Sequence, residues 1–310
     1  MTGSTVTIAI PVLNEEAYIE ACLDAVASQT YPAVVDVLVI DGGSSDRTRE
    51  LVRERGGDVR LLENPRRIQA SALNIALAEA TGEIFVRVDG HCLIGPDYVE
   101  HCVRALDATG AAMVGGPMRP RAAGWLAQGI AAAMTSPLGV GPARFHVGGP
   151  SGWVDTVYLG AYRTALAREV AGYREDVGVN EDAEFAIRMR PQGGIWFENA
   201  IRSSYTPRSS LPGLVRQFYR YGRSRAATVR SHPGSLAPRQ VAAPALLAGL
   251  ASPWRRQVLL GYTAVLAVGA ARQLNRDPRA FPGFLLALPA MHLPWGAGFL
   301  RGLLPQHPAS

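Results

Sequence analysis

Short runs of β-branched and aliphatic residues recur along the first 120 residues, separated by segments with helical spacing of apolar positions. The runs predict buried strands at 5–12, 34–43, 58–64, 83–90 and 111–118. The segments between them predict helices after residue 14, at 44–55, at 68–80 and at 96–108. Strands and helices that alternate at this spacing indicate an α/β fold, with a mostly parallel sheet and helices on both faces.

Polar residues mark the beginnings of two of these helices. Asn14 is placed to cap the first, with Glu15 and Glu16 in its first turn, and the Ser44-Ser45-Asp46 segment opens the second. Further along, a Gly- and Pro-rich loop at 136–153 is long enough to suggest a function. The remaining predicted elements are a strand at 156–163, helices at 125–134, 165–171, 181–190 and 214–230, and a Ser- and Pro-rich linker at 203–213.

The last third of the chain is apolar, with runs at 241–251, 258–271 and 280–300. Only the third run approaches the ~20 residues that cross a bilayer, and Pro282, Pro289 and Pro294 interrupt it. We predict an apolar helical region at 236–310 that contacts a membrane, because arginines flank its runs. Spanning helices, interfacial or re-entrant helices and a buried soluble subdomain all stay open.

The charge distribution and the cysteine content indicate the binding partners and the cellular compartment of the protein. The chain has a net charge of +5, and twelve arginines with no acidic residue lie between Asn199 and Arg276, which favours anionic phosphates or an anionic membrane surface. No zinc-knuckle, homeodomain-like or RNP pattern accompanies this charge, so nucleic acid is not an expected partner. Three cysteines without metal-ligand spacing and an amino terminus without a signal-peptide pattern indicate a reducing, cytosolic compartment.

Two carboxylates stand where predicted strands end. Asp41 follows the second strand and Asp89 the fourth. In open parallel sheets, ligands bind beyond the carboxyl ends of the strands, so both are candidate site residues. The alternative is that each is a turn residue or a helix cap.

Two further clusters carry chemistry. The segment NEDAEFAIRMR, from Asn180 to Arg190, is acidic at its start, and QFYRYGRSR, from Gln217 to Arg225, is basic. With the Asp89-Gly90-His91 triplet they supply a base, a place for a divalent cation and a clamp for a diphosphate. Transfer of a sugar from a nucleotide diphosphate to a hydroxyl needs these parts.

An ordered set of motifs runs through nearly the whole chain: IPVLNEE (10–16), VIDGGSSDRT (39–48), NPRRIQASALN (64–74), VRVDGH (86–91), VDTVYLGAYR (154–163), NEDAEF (180–185), QFYRYGRSRA (217–226) and HLPWGAGFLRG (292–302). This set resembles the inverting family 2 glycosyltransferases of GT-A fold, and among them the bacterial exopolysaccharide enzymes of the succinoglycan type. The resemblance implies a Rossmann-like GT-A domain at 1–235, with a nucleotide-binding half at 1–118 and an acceptor half at 119–235.

The resemblance also implies a UDP-sugar as donor. Asp41 corresponds to the carboxylate that accepts from the uracil ring N–H, a suitable acceptor because carbonyls flank that group. Gly42 departs from the family, since many members carry a second Asp there. By the same resemblance, Arg67 is expected near the base and ribose, and Pro11, Asn14 and Glu15 are expected to line the uracil–ribose pocket.

Asp89-Gly90-His91 occupies the place of the family's Asp-x-Asp motif, whose residues bridge the ribose and a Mg²⁺ or Mn²⁺ ion on the diphosphate. An imidazole in place of the second carboxylate shifts the preference toward Mn²⁺. We therefore predict Asp89 and His91 as metal ligands. The alternative is that His91 orients a phosphate or caps the next helix.

Glu181-Asp182 matches the acid pair of the family, whose Asp is the general base. Asp182 would take the proton of the acceptor hydroxyl, and Glu181 or Glu184 would orient the acceptor. The simpler interpretation is that these acids favour the positive end of a helix dipole.

Gln217, Arg220 and Tyr221 resemble the family's Gln-x-x-Arg-Trp motif, with Tyr in place of Trp. They share a helix face, and Arg223 lies three residues beyond Arg220. The arginines would bind the departing diphosphate, for which their planar guanidinium groups are suited. A basic helix on lipid headgroups is the alternative.

These observations predict an inverting glycosyltransferase that moves a hexosyl group, glucosyl by preference, from a UDP-sugar to a lipid-linked saccharide at the cytoplasmic face of the membrane. A soluble acceptor, a nucleotidyltransferase and a non-catalytic nucleotide-sugar-binding protein are the rivals. The sequence argues against a Rossmann dehydrogenase, since no G-x-G-x-x-G follows the first strand.

Overall fold

The computed structural model describes residues 3–207 and 210–304. Its strands are β1 (Val6–Val12), β2 (Val34–Asp41), β3 (Val59–Glu63), β4 (Ile84–Arg87), β5 (Cys92–Ile94), β6 (Met113–Gly116), β7 (Met118–Pro120), β8 (Gly152–Val154), β9 (Tyr158–Arg163), β10 (Ile195–Phe197) and β11 (Ser203–Tyr205). Its helices are α1 (Ile19–Ala27), α2 (Thr48–Arg55), α3 (Gln69–Glu79), α4 (Tyr98–Thr109), α5 (Trp125–Met134), α6 (Pro137–Val140), α7 (Arg144–Val147), α8 (Thr164–Glu169), α9 (Glu181–Met189), α10 (Leu211–Ser231), α11 (Ala242–Leu250), α12 (Arg255–Arg276) and α13 (Phe281–Leu303).

The chain forms two compact units. Unit 1 combines the residues up to Arg119 with Gly148–Tyr205, and unit 2 combines Pro120–Val147 with the residues from Thr206 onward. Unit 2 therefore contains residues 120–147 and 206–235, both of which the sequence prediction assigns to the 1–235 domain.

The predicted α/β class is confirmed by the eight-stranded sheet of unit 1, whose order is β3-β2-β1-β4-β9-β6-β10-β8. The pairs β1–β2, β2–β3, β1–β4 and β6–β10 are parallel, whereas β9 runs antiparallel to both β4 and β6. The strand order reverses direction at β1 and β4. Ligands bind at such a switch point in α/β sheets, so the residues that follow β1, β2 and β4 are the expected ligand-binding residues.

The strands of this sheet centre are buried because they are almost wholly apolar. Every residue of β1 and β4 is buried, including Arg87, which is the one charged residue in these two strands. A second, three-stranded sheet with the order β5-β11-β7 lies in the stretch after Asp89 and before Thr206. Each of its strands has three residues, which is too short for an alternating pattern of apolar and polar residues to predict it.

Several predicted boundaries differ from the structure. Helix α1 begins at Ile19, and Asn14 does not cap it, because Asn14 adopts a left-handed backbone with φ 57° in the preceding turn. The predicted loop at 136–153 contains α6, α7 and β8, and the predicted linker at 203–213 begins with β11. The strand predicted at 83–90 ends at Arg87, which leaves Asp89 in the loop beyond the sheet.

Unit 2 is built around α13, which packs against α10, α5 and α11. Contrary to the prediction, Pro289 and Pro294 do not interrupt it: the helix is continuous over 23 residues. Glycines allow its close packing, since a Cβ at Gly298 or Gly302 would collide with the backbone of α10. These contacts offset the backbone hydrogen bonds that proline removes.

Candidate active site

The loops that follow β1 and β2 are joined by hydrogen bonds. The Asn14 N–H donates to Ser44 Oγ at 2.9 Å, and Asn14 Oδ1 accepts from the Ser45 N–H at 2.9 Å. The Glu15 N–H donates to Thr48 Oγ1 at 2.8 Å. Asn14 thus links the loop after β1 to the loop after β2. The nucleoside is predicted to bind at this edge of the sheet.

Asp41 lies at the carboxyl end of β2 and is buried, with 2% of its surface exposed. Its Oδ2 accepts from the backbone N–H groups of Gly43 and Ser44, at 2.9 and 3.1 Å. Asp41 therefore stabilises its own turn. That it also accepts from a uracil N–H stays a prediction. Pro11 is buried in β1 and pairs with Ile40 of β2.

Arg67 packs over the glycine turn after β2. Its φ is 56°, and its guanidinium would lie 3.3 Å from a Cβ on Gly43, whose own φ is 81°. A Cβ on Gly42 would meet only ordinary contacts, at 3.5 to 3.7 Å. The space around Gly42 therefore accepts a side chain, whereas Gly43 is required by its backbone and by Arg67.

Asp89 is held by two side chains that the motif analysis did not single out. Its Oδ1 accepts from Arg87 Nε at 2.9 Å and from Gln69 Nε2 at 3.1 Å. Gly90 lets this loop pass β1 closely, since a Cβ there would stand 2.8 Å from Val12 Cγ1. The adjacent His91 is oriented by Glu15, with 2.9 Å between His91 Nδ1 and Glu15 Oε1.

The ligand atoms of Asp89, His91 and Cys92 all lie within 4.8 Å of one another. Burial raises the pKa of the Cys92 thiol, and its Sγ lies 2.8 Å from Tyr158 Oη, so this thiol stays protonated and is a poor ligand. Asp89 and His91 fit a divalent cation, and a carboxylate that orients a ligating imidazole is a common arrangement at metal centres. A bound cation would neutralise charge on a diphosphate.

A buried ion cluster joins this loop to α9. Arg87 Nη1 lies 3.4 Å from Glu181 Oε1, while its Nε is bonded to Asp89. All three side chains are almost wholly buried. Arg87 therefore brings together the carboxylates of the β4 end and of the α9 start, 92 residues apart in the sequence.

The two acids at the start of α9 have perturbed proton affinities. Burial raises the pKa of Glu181 to about 7, against the opposing charge of Arg87. Burial also raises the pKa of the half-buried Asp182, again opposed by Arg87. A carboxylate with a raised pKa is a stronger base, so the site favours proton transfer to Asp182.

Glu184 has a structural role, which removes it from the candidates for orienting the acceptor. It is fully buried and binds Arg188 with both oxygens, at 2.8 and 2.6 Å. Arg188 in turn donates to the carbonyl oxygens of Val170 and Gly172. Because the ion pair is satisfied by these contacts, Glu184 anchors α9 to the preceding loop.

Two further contacts hold α9 in position. Tyr173 stacks on Phe185 with ring centres 4.2 Å apart, and Asn74 of α3 exchanges hydrogen bonds with the Tyr173 backbone at 2.7 and 2.8 Å. Two residues of the NPRRIQASALN motif therefore position the site. Gln69 bonds to Asp89, and Asn74 bonds to the segment that precedes Glu181.

The predicted diphosphate ligands lie on α10 of unit 2. Gln217 Nε2 donates to Tyr221 Oη at 2.8 Å, whereas Gln217 Oε1 is buried without a hydrogen-bond partner in the described parts of the chain. Arg220 and Arg223 are exposed on the same helix. Arg225 differs from them, because it is buried and bonded to Gln240 and Ser235.

The sequence profile described as "Glycosyl transferase family 2" matches residues 7–170. A relative from Rhizobium meliloti, "Succinoglycan biosynthesis protein ExoA", is 34% identical over 98% of this chain and 96% of its own length. The chain belongs to glycosyl transferase family 2. The predicted family and the prediction of a glycosyltransferase are thereby confirmed.

Two other similar proteins bear on the family's substrates. A Methanococcus voltae enzyme named dolichyl N-acetyl-alpha-D-glucosaminyl phosphate 3-beta-D-2,3-diacetamido-2,3-dideoxy-beta-D-glucuronosyltransferase is 26% identical over 73% of this chain and 74% of its own. The structure of the mannosyltransferase PcManGT from Pyrobaculum calidifontis, in complex with GDP-Man and Mn²⁺, matches with a TM-score of 0.63 and 25% identity, over 97% of this chain and 87% of its own. The structural match confirms the GT-A-like fold.

Unit 1 thus brings together Asn14, Glu15, Asp41, Arg67, Asp89, His91, Glu181 and Asp182 around the ends of β1, β2 and β4 and the start of α9. Sequence reasoning missed Arg87 and Gln69. Arg87 carried a usable signal, because an arginine inside the apolar run IFVRV needs a buried partner. Gln69 carried none, since its partner Asp89 is 20 residues away in the sequence.

Proposed function

We propose that the protein is an inverting glycosyltransferase that moves a hexosyl group from a UDP-sugar to a hydroxyl of a lipid-linked saccharide. The observation that carries the proposal is the cluster in which Arg87 contacts Asp89 on one side and Glu181 on the other. The cluster supports the proposal because Arg87 links the loop that carries Asp89 to the acids at the start of α9.

In the proposed reaction, the acceptor hydroxyl oxygen attacks C1 of the sugar. The bond from C1 to the diphosphate oxygen breaks, a bond from C1 to the acceptor oxygen forms, and Asp182 takes the hydroxyl proton. Because the acceptor oxygen displaces the diphosphate in a single step, the configuration at C1 is inverted. Glu181 holds the acceptor, and its raised pKa lets it donate a hydrogen bond near neutral pH.

In this proposal, unit 1 binds the nucleoside of the donor and the metal ion. Pro11, Asn14, Glu15, Asp41 and Arg67 form the nucleoside pocket, and Asp89 and His91 hold Mn²⁺ or Mg²⁺ on the diphosphate. Gln217, Arg220 and Arg223 are assigned to the diphosphate from their chemistry and their motif. Because PcManGT is described with GDP-Man and Mn²⁺, GDP-sugars belong in the same donor assay.

A lipid-linked acceptor is supported by the names of two relatives, one in succinoglycan biosynthesis and one acting on a dolichyl phosphate sugar. Trp153 offers a surface for a sugar ring, since it is 55% exposed and packs edge-on against Trp196 at 5.2 Å. We infer from this proposed acceptor that the enzyme works at the cytoplasmic face of the cell membrane.

The test replaces the base. Asp182→Asn should lower sugar transfer by at least about a hundredfold, the lower range for a general base, while calorimetry shows unchanged nucleotide binding in the presence of Mn²⁺. Asp176→Asn is the matched control, because Asp176 is 68% exposed and bonds to Arg174 at the surface. Full transfer by Asp182→Asn would rule out the base, and release of pyrophosphate in place of UDP would indicate a nucleotidyltransferase.

A further inference from the structure

The two units carry opposite charge. The sequence stretches of unit 2, at 120–147 and 206–310, contain fifteen arginines and a single acid, Asp277, for a formal charge of +14. The stretches of unit 1 contain sixteen arginines and 25 acids, for a charge of −9. The net charge of +5 thus conceals a strongly basic unit that has almost no acid to pair with its arginines.

Helix α12 is the exposed apolar element of this basic unit. Of its 22 residues only Gly269, Ala270 and Gln273 are buried. Leu260 is 71% exposed and Val268 is 51% exposed, and the other large apolar side chains above a 40% exposure are Leu259, Val265 and Leu274. No charged residue lies from 257 to 271, which gives an uncharged stretch of about 22 Å at the helical rise.

Arginines stand at both ends of this stretch. Arg255 and Arg256 form the first turn of α12, and Arg272 and Arg276 lie in its last two turns. Trp254, 67% exposed, precedes the helix. Cations in the first turn oppose the helix dipole, and α12 has no acid there to compensate them. An anionic group outside the protein would relieve this repulsion.

Helix α13 does not offer a comparable surface. By length and composition it is the one described helix that could cross a membrane, but 44% of its most apolar window is buried. Its packing against α10, α5 and α11 makes it the core helix of unit 2. The exposed apolar surface belongs to α12, which Tyr262 ties to His292 of α13 through a 3.0 Å hydrogen bond.

We propose that α12 lies in the interface of an anionic lipid bilayer, with its apolar side among the acyl chains and its terminal arginines on the headgroup phosphates. The surface is formed by Trp254, Leu259, Leu260, Val268, Arg255 and Arg256. Binding to an interface grows with the apolar area that enters it and with the attraction of cations to anionic lipids, and α12 offers exposed leucines and valines with arginines at both of its ends. Nucleic acid would use the arginines but leave the apolar side in water.

This inference rests on the proposed function, because a lipid-linked acceptor lies in a membrane. It adds that the membrane surface is anionic and that α12 binds it. The assay measures co-sedimentation of the full chain with vesicles made of equal parts phosphatidylglycerol and phosphatidylcholine, against vesicles of phosphatidylcholine alone. It contains neither donor nor acceptor, so membrane binding and sugar transfer can fail independently.

The protein should bind the anionic vesicles, and high salt should weaken this binding. The double variant Arg255→Gln, Arg256→Gln should lower the partition constant about 25-fold, from about fivefold for each arginine. Leu260→Glu and Val268→Glu should abolish measurable binding. Val35→Glu is the matched control, since Val35 is 46% exposed in unit 1 and should leave binding unchanged.

Four results would overturn the proposal. Equal binding of Val268→Glu and Val35→Glu would show that α12 does not contact lipid. A wild-type chain that stays with the supernatant, or one that sediments equally with neutral vesicles, would remove the anionic surface as partner. A dimer in solution that Leu260→Glu dissociates would assign α12 to a second copy of the chain.

Discussion

Replacement of Glu181 by glutamine tests whether the buried ion cluster carries the electrostatics described for it. Glu181 is 2% exposed and lies 3.4 Å from Arg87, and burial raises its pKa to about 7. Glutamine has nearly the same shape and no charge. The substitution therefore removes an ionisation that the folded protein disfavours, and it leaves Arg87 bonded to Asp89.

The sign and size of the effect follow from the pKa. The ordinary pKa of a glutamate carboxyl is 4.5, so between pH 4.5 and about 7 the folded protein keeps a proton that the unfolded chain has released. Stability from this group is complete below pH 4.5 and is lost as pH rises to about 7. At 1.36 kcal/mol per pKa unit, the loss is on the order of 3 kcal/mol.

Glu181→Gln should therefore match the wild type at pH 4 and exceed it in stability at pH 8 by about 3 kcal/mol. A gain of this size raises the melting temperature by roughly 6–12 °C for a unit of this size. Thermal unfolding followed by circular dichroism from pH 4 to 8 measures the difference. Melting curves of variant and wild type that stay parallel over this range would refute the argument.

Glu198→Gln is a control of opposite sign. Burial raises the pKa of Glu198, but hydrogen bonds from Ser151, Ala200 and Trp196 outweigh burial and lower it below its usual value. Its stabilisation is present above the unfolded pKa and is lost as pH falls. This variant should therefore be less stable than the wild type at neutral pH and approach it in acid.

Four glycine substitutions test the packing around the site and in unit 2. Gly90→Ala should lower both melting temperature and metal-dependent donor hydrolysis, because a Cβ would stand 2.8 Å from a methyl group of β1. Gly42→Ala should change stability by less than about 0.5 kcal/mol, whereas Gly43→Ala should cost about 1–2 kcal/mol, since its φ of 81° and the Arg67 guanidinium both oppose a side chain. Equal urea midpoints for that pair would contradict the geometry. Gly298→Ala should unfold unit 2 at lower urea than unit 1, because its Cβ would overlap a carbonyl oxygen of α10.

Local patterns predicted much of the fold. The strands at the sheet centre are continuous apolar runs, so β1, β2 and β4 were found to within a few residues, and α5 was predicted at its observed limits. The ordered motifs also predicted the family and the glycosyltransferase class, which the comparisons confirm. The same motifs predicted Asp89, His91, Glu181 and Asp182 as candidate site residues.

Other features had no local signal. The strands β5, β10 and β11 have three residues each, too few for an alternating pattern, and they form because partner strands supply their hydrogen bonds. The continuity of α13 through two prolines depends likewise on packing against other helices. By length and composition α13 could cross a membrane, whereas the structure buries much of α13 and exposes the apolar side chains of α12.

The sequence by itself determined which residues could bind a sugar nucleotide and carry out transfer, because those properties belong to each side chain and to its place in a motif. Only the tertiary structure decided their states. Glu184 became an anchor by meeting Arg188, and Glu181 acquired a pKa of about 7 by burial beside Arg87. Proton affinity depends on the solvent and charges within a few ångströms, and folding brings these together from strands and helices far apart in the chain.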